Sequence, residues 1–288
     1  MKTRIIVGIA LALFAIGLVV LIGFGYSQYI SILIAIASAI CVYEILHVSG
    51  CKNKVLTAIS MIFSACVSVV YGFGLNEKFP LPAGVIAGIY VLCLLILMLK
   101  MYDKTKFENV AMSIFSSICI PMSLDCIIFT DKLIDKFPGQ ISHSTAVFLV
   151  LISMYCAWLS DTFALFFGRA YGKHKMAPKI SPKKSYEGAV AGVVGTTVIS
   201  LITYFIFWKW YFPIVAVKWW MMLIYVPVCC VMGMLGDLSA SVIKRNFGFK
   251  DFGTLFPEHG GMMDRIDSFL FTMPTTFIAL TIFTSAAF

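Results

Sequence analysis

Residues 219–240, WWMMLIYVPVCCVMGMLGDLSA, run directly into residues 241–267, SVIKRNFGFKDFGTLFPEHGGMMDRID, and the contrast between the two decides the fold. The first segment is a continuous apolar run, long enough as a helix to cross about 30 Å of hydrocarbon. The second gathers Lys244, Arg245, Lys250, Asp251, His259, Asp264, Arg265 and Asp267 around the point, residue 266, at which another apolar run begins. Strands of a membrane barrel would alternate polar and apolar residues, and these runs do not, so the fold class is all-α. Composition agrees. The chain is 60% hydrophobic and 12% charged, against about 45–50% and 25% in soluble domains, which excludes a soluble globular protein.

Along the rest of the chain, comparable runs lie at residues 5–24, 29–48, 56–74, 82–99, 110–130, 144–168, 188–208, 219–240 and 266–286. They predict a polytopic integral membrane protein of about nine transmembrane helices. The first run has a basic flank like that of a signal peptide, yet it exceeds an h-region and no small-residue cleavage site follows, so it reads as a retained span. Residues 1–140 form an N-terminal membrane scaffold of about five helices, and residues 141–288 a catalytic membrane domain of about four helices with two basic loops. Basic residues orient the chain. With the N-terminus in the cytoplasm, only Lys78, Lys132, Lys136, Lys209 and Lys218 of the 22 Lys and Arg residues fall outside, as the positive-inside rule requires. The net charge of +8 suits contact with anionic lipid headgroups. Nine cysteines, most of them within spans and none in a CxxC pair, read as small buried hydrophobes.

The chemistry concentrates in the second half. In the first, only Glu44 and Asp125 place ionisable groups within spans, where an acid is costly and by default a functional candidate; Glu44, near its helix end, can also reach the interface. In the sixth span Trp158, Asp161 and Leu165 share a helical face, and residues 168–188, GRAYGKHKMAPKISPKKSYEG, come next with six cations and one acid, Glu187. Ser181 and Pro182 there read as the N-cap and first residue of a helix, which would set Lys183 and Lys184 at a phosphate-binding helix N-terminus. Asp237, Ser241 and Lys244 are spaced to share one face of the eighth span. Pro257 and the Gly260-Gly261 pair interrupt regular structure, and the glycines permit close backbone approach to a ligand. Asp264 and Asp267 flank Arg265 at the start of the last span.

Carboxylates at Asp161, Asp237, Asp264 and Asp267 beside this many Lys and Arg residues suit Mg²⁺ and phosphates, hence phosphoryl or nucleotidyl transfer. Zinc is excluded from the loop, since His259 has no partner at ligand spacing and no Cys is near.

Residues 241–267 resemble the signature of phosphatidate cytidylyltransferases, the CDP-diacylglycerol synthases: Ser241, Lys244-Arg245, Lys250-Asp251, Gly253, Pro257, His259-Gly260-Gly261, Asp264-Arg265 and Asp267 all fall in place. Residues 178–188, PKISPKKSYEG, are similar to a second block of that family, and the resemblance covers roughly residues 150–288. One departure is Asp161-Thr162-Phe163, where family members commonly have Asp-Thr-Gly. The resemblance implies condensation of CTP with phosphatidic acid to CDP-diacylglycerol and pyrophosphate in phospholipid biosynthesis. It implies a multi-pass enzyme of the cell (inner) membrane with its active site on the cytoplasmic side, in contact with membrane lipids, a homodimer, and no nucleic-acid partner. In that reading Asp237 and Asp264, with Asp161, hold Mg²⁺, with room for a second metal or a monovalent cation. Lys244, Arg245, Lys250 and Arg265 neutralise charge as pyrophosphate leaves, while Ser181, Lys183, Lys184, Ser241, Gly260 and Gly261 line the phosphate site. His259 either protonates a leaving oxygen or holds the glycine turn, and Asp267 either ligates metal or orients a cation.

Two other readings compete. A CTP-dependent polyprenol or phytol kinase shares the basic loops and acids, but the HGG followed by DR and D fits the cytidylyltransferase signature better. A transporter or channel would line a pathway with acids in both halves, whereas these acids cluster in one half.

Overall fold

Eight of the predicted apolar runs return as helices because, away from water, a backbone must satisfy its own polar groups. The computed structural model describes residues 17, 20–78, 82–139, 141–210, 217–256 and 260–285. Among the described residues, eight helical segments are long and apolar enough to cross a membrane, and the chain is an all-α polytopic membrane protein. The first predicted span, residues 5–24, falls largely outside the described residues, as does His259.

The helices are α1 (Ser27–Val48), α2 (Lys54–Gly72), α3 (Ala83–Lys100), α4 (Phe107–Lys136), α5 (His143–Met154), α6 (Ser160–Tyr171), α7 (Tyr186–Trp210), α8 (Trp219–Asn246), the single turn α9 (Met263–Ile266) and α10 (Phe269–Ser285). Helices α5 and α6 are one crossing, joined by a π-helical turn at Tyr155–Leu159 in which the Ser160 N–H reaches back to the Tyr155 carbonyl. A π-helical turn holds more residues than an α-helical one; Trp158 lies within it, whereas Asp161 and Leu165 lie on α6. The last predicted span is likewise broken: helix stops at Ile266 and resumes at Phe269.

Two short strands, β1 (Lys175–Ala177) and β2 (Ser181–Ser185), pair antiparallel. This corrects the helix start predicted at Ser181-Pro182. The hairpin uses Ser181 opposite Ala177 and Ser185 opposite Lys175, and the helix begins only at Tyr186. Ser185, not Ser181, then acts at the helix entrance, its Oγ accepting the Gly188 N–H at 3.2 Å.

The chain divides into two compact units. The first comprises residues 26–128 and 246–266 of the described chain. There α2 turns a small face of Ser60, Ser64, Ser68 and Gly72 inward, and a Cβ at Gly72 would fall 2.1 Å from that of Ser31 on α1. Leu56, Tyr90, Leu94 and Val110 form its core between α2, α3 and α4, with Phe63 stacked on Tyr90 at 3.8 Å. The second unit comprises residues 129–245 and 267–288, with a short piece ending at Gly25. Its core is Phe148, Ile152, Cys156, Tyr204, Met222, Tyr225, Cys229 and Leu280. Cys156, Cys229 and Cys230 serve there as buried free thiols. On α7 the outward Val190, Val194, Val198 and Ile202 are all exposed at four-residue spacing, a stripe of that size being what a lipid-facing helix requires.

The α6–α7 contact is set by glycines. A Cβ at Gly192 would come within 2.7 Å of the Ser160 carbonyl oxygen and 3.4 Å of Ala164 Cβ. We predict that Gly192→Ala forces these helices apart at a cost of about 1–3 kcal/mol, read as a lower melting temperature in detergent. A wild-type melt would show that the two helices do not meet this closely.

Candidate active site

In the second unit, the β-hairpin delivers Lys184 to the acids of α6 and α8. Side chains alternate across a strand, so consecutive Lys183 and Lys184 diverge: Lys183 is exposed and Lys184 turns inward. The base of the hairpin is tied to α7, where Glu187 accepts from His174 Nδ1 at 2.6 Å and from the His174 backbone N–H at 3.2 Å. The Tyr186 N–H donates to the His174 carbonyl at 3.0 Å. The turn end is met from α8, as Arg245 Nε donates to the Ile180 carbonyl at 3.5 Å.

Lys184, 18% exposed, forms an ion pair with Asp237 Oδ2 and sits 3.8 Å from Asp161 Oδ1. Burial by itself would push the lysine down, but the charges of Asp161 and Asp237, the hydrogen bond to Asp237 and the charge of Asp267 outweigh it and hold the ammonium above its ordinary value of 10.5. Folding therefore gains from this group everywhere below the unfolded lysine pKa, and the gain is lost only as pH rises through the higher folded value. At neutral pH Lys184 is a cation.

Asp267, 8% exposed, lies within the electrostatic reach of Asp237, Lys244 and Asp161, and its Oδ1 accepts the Ser268 N–H at 2.7 Å. Lys244 is 7% exposed, with Ser241 also buried on α8. The cation that pairs with Asp237 is Lys184 from the hairpin, a partner that the spacing along α8 did not indicate. A cavity of about 290 Å³ opens beside the cluster, lined by Asp161, Ser181, Lys183, Lys184, Ser185 and Met234 among others. Phe163 turns elsewhere. It lines a separate apolar groove with Phe167, Val190 and Val194, and its ring fills the space left by Gly195, where a Cβ would lie 2.9 Å away. The large side chain in place of a glycine is accommodated away from Asp161.

In the first unit, the loop after α8 is folded by two carboxylates. Asp264 Oδ2 accepts the backbone N–H groups of Phe252 at 2.8 Å and Gly261 at 2.9 Å. Glu44, from α1, accepts the Met262 N–H at 2.9 Å with Oε1 and the Met263 N–H at 2.8 Å with Oε2. Gly260 has φ of 87°, a conformation open to glycine, and the Phe256 N–H closes the turn on its carbonyl at 2.9 Å. The groups that come close to the glycine pair in the structure are the protein's own Asp264 and Glu44 carboxylates. Lys250 is exposed on this loop and Arg265 half-buried on α9.

Of the sequence candidates, Asp161, Ser181, Lys183, Lys184, Ser241, Asp237, Lys244, Arg245 and Asp267 belong to the second unit, and Lys250, Gly260, Gly261, Asp264 and Arg265 to the first. Glu44's partners could not be read from sequence, because they lie 218 and 219 residues away; its depth in an apolar run was the only signal. Asp125, the other intramembrane acid, is fully buried in α4 near Ser68.

The donor set is carboxylate oxygen, which suits Mg²⁺ rather than zinc or a soft metal. Among the described residues no three His, Cys, Asp or Glu side chains converge as a ready cage. Asp161 and Asp237 bring two carboxylates to one ammonium, and Mg²⁺ commonly binds through one or two carboxylates together with substrate phosphates.

Comparison with known proteins places these features. The chain matches the Cytidylyltransferase family over residues 2–283. It is 39% identical over 139 residues to the phosphatidate cytidylyltransferase of Staphylococcus saprophyticus, covering 48% of this chain and 51% of the relative. It is 37% identical over 139 residues to that of Staphylococcus haemolyticus, with the same coverage, and to that of Staphylococcus aureus COL, again with the same coverage. The chain spans about half the length of the curated relatives it matches. With the family matched along nearly its whole length, this chain belongs to the cytidylyltransferase family.

Proposed function

We propose that the protein condenses CTP with phosphatidic acid to give CDP-diacylglycerol and pyrophosphate at the cytoplasmic face of the cell membrane, as a metal-dependent enzyme and a homodimer. The observation that carries the reading is the Lys184 ammonium held between Asp161 and Asp237 beside a cavity lined by Ser181 and Lys183. Acids and cations kept so close in an apolar frame are suited to a ligand that brings its own charge of both signs, a nucleoside triphosphate with its counter-ion.

In this reaction a phosphatidate phosphate oxygen attacks the α-phosphorus of CTP and the bond to the β-phosphate bridging oxygen breaks, releasing pyrophosphate. Little covalent chemistry falls to the protein, and positioning with charge neutralisation supplies the rate. Lys183 and Lys184 meet the triphosphate from the hairpin, with the Ser181 hydroxyl beside them, and Arg245 and Lys244 meet it from α8. Asp267 faces the positive charge of Lys244 and keeps it oriented. Lys250 and Arg265 serve anionic groups from the loop of the first unit. Mg²⁺, when bound, would neutralise phosphate charge and polarise the α-phosphorus; the acids proposed to hold it are Asp237 and Asp161 on α8 and α6 in the second unit, and Asp264 is proposed as a separate ligand within the first. Family membership and the named relatives support the substrates. The distribution of Lys and Arg along the chain supports the cytoplasmic side.

The test is purified protein in mixed micelles with CTP labelled in the cytosine ring, phosphatidate and Mg²⁺. Label is expected in lipid, and its absence across several phosphate lipids and metals would overturn the reading. Chelation should abolish the reaction and added Mg²⁺ restore it, whereas full turnover in excess chelator would remove the metal from the account. Lys184→Ala and Asp237→Asn are each expected to lower turnover about 10²–10³-fold, measured as lipid-bound cytidine; near-normal rates would show that the cluster is a structural ion pair.

A further inference from the structure

The acid at residue 44 does more than reach the membrane surface. Glu44 is 4% exposed, and its two oxygens are divided between adjacent peptide groups, Met262 N–H at 2.9 Å and Met263 N–H at 2.8 Å. Hydrogen bonds from amides to a carboxylate are among the stronger and more directional ones. The loop is also shaped around this side chain. A Cβ at Gly253 would lie 2.6 Å from Glu44 Oε1, and one at Gly261 would lie 2.5 Å from both carboxylate oxygens. Two of the small positions in the loop are therefore small because Glu44 fills the room beside them.

From the neighbouring side Asp264 Oδ2 takes the N–H of Gly261, one peptide before those held by Glu44, and also that of Phe252. Three successive amides, at residues 261, 262 and 263, are thus shared between two carboxylates. The backbone leading into α9, and with it the direction of Asp264, is set by Glu44.

We infer that Glu44 is a positioning residue for the transferase reaction, holding the backbone of residues 261–263 so that Asp264 is presented in its working orientation. The inference rests on the reading of that loop as part of a cytidylyltransferase site. It assigns that role to a helix whose sequence carries no nucleotide-binding pattern.

The test uses the full-length protein in mixed micelles. Glu44→Gln keeps the size of the side chain but turns an amide –NH₂ against a backbone N–H, so one of the two hydrogen bonds is lost. Hydrogen exchange of the peptide spanning 252–266 should quicken, kcat should fall about 10–100-fold, KM for phosphatidate should stay within about twofold, and half-maximal activity should need more Mg²⁺. Gly261→Ala, which drives a methyl into the same carboxylate, should reproduce the loss of kcat and the Mg²⁺ shift, and serves where Glu44→Gln fails to fold. Quickened exchange with wild-type kcat and wild-type Mg²⁺ dependence would mean that Glu44 merely fastens the loop, and unchanged exchange would mean that it does not hold it; either result overturns the inference. A wild-type protein that forms no cytidine lipid overturns the reading beneath the inference, whereas an active wild type matched by Glu44→Gln overturns the inference alone.

Discussion

A lysine ammonium and the carboxylates around it, set in a frame of apolar helices, must compensate one another, because a lone charge removed from water costs several kcal/mol. Lys184 meets that constraint with Asp237 and Asp161, and Asp267 and Lys244 extend the balance along α8 and the start of α10. The local architecture reflects it. A hairpin is used where a helix was expected because a strand can send Lys184 inward and Lys183 outward in consecutive residues. Gly168, Gly172 and Gly188 leave room for the Ser185 side chain and so seat the base of the hairpin against α6 and α7. The π-helical turn before Ser160 sets the direction in which Asp161 leaves its helix.

The loop of the first unit solves a related problem by other means. Its described residues from Gly248 to Gly261 form no helix or strand, so its backbone amides need acceptors. Asp264 accepts two of them, from Phe252 and Gly261, and Glu44 accepts the next two, from Met262 and Met263, all at 2.8 to 2.9 Å. The described part of the loop is thereby held by charge-assisted hydrogen bonds, and Gly253, Gly260 and Gly261 are places where those carboxylates come close to the chain.

Most of the fold was legible because the solvent requirement is simple. Runs predicted at 29–48, 144–168 and 219–240 return as Ser27–Val48, His143–Tyr171 and Trp219–Asn246, with ends extended by polar residues that continue a helix once it has begun. What escaped was local or distant. The Ser181-Pro182 pair looks like a helix start, yet strand pairing with Lys175–Ala177 outweighs that signal. The break at Asp267-Ser268 carries neither Pro nor Gly to announce it. For the site, residue type and spacing identified Asp161, Lys184 and Asp237 but not their mutual arrangement, and no pattern over a few residues can pair Glu44 with Met262.

Transfer of a cytidylyl group, as opposed to a phosphoryl group, is tested most directly by the phosphorus inventory of a completed reaction. Phosphorus NMR of wild-type protein with CTP, phosphatidate and Mg²⁺ should show pyrophosphate and a lipid diphosphate diester appearing in equal amounts. Release of CDP in place of pyrophosphate would contradict the account, since it would mean that a phosphoryl group, not the nucleotide, had moved.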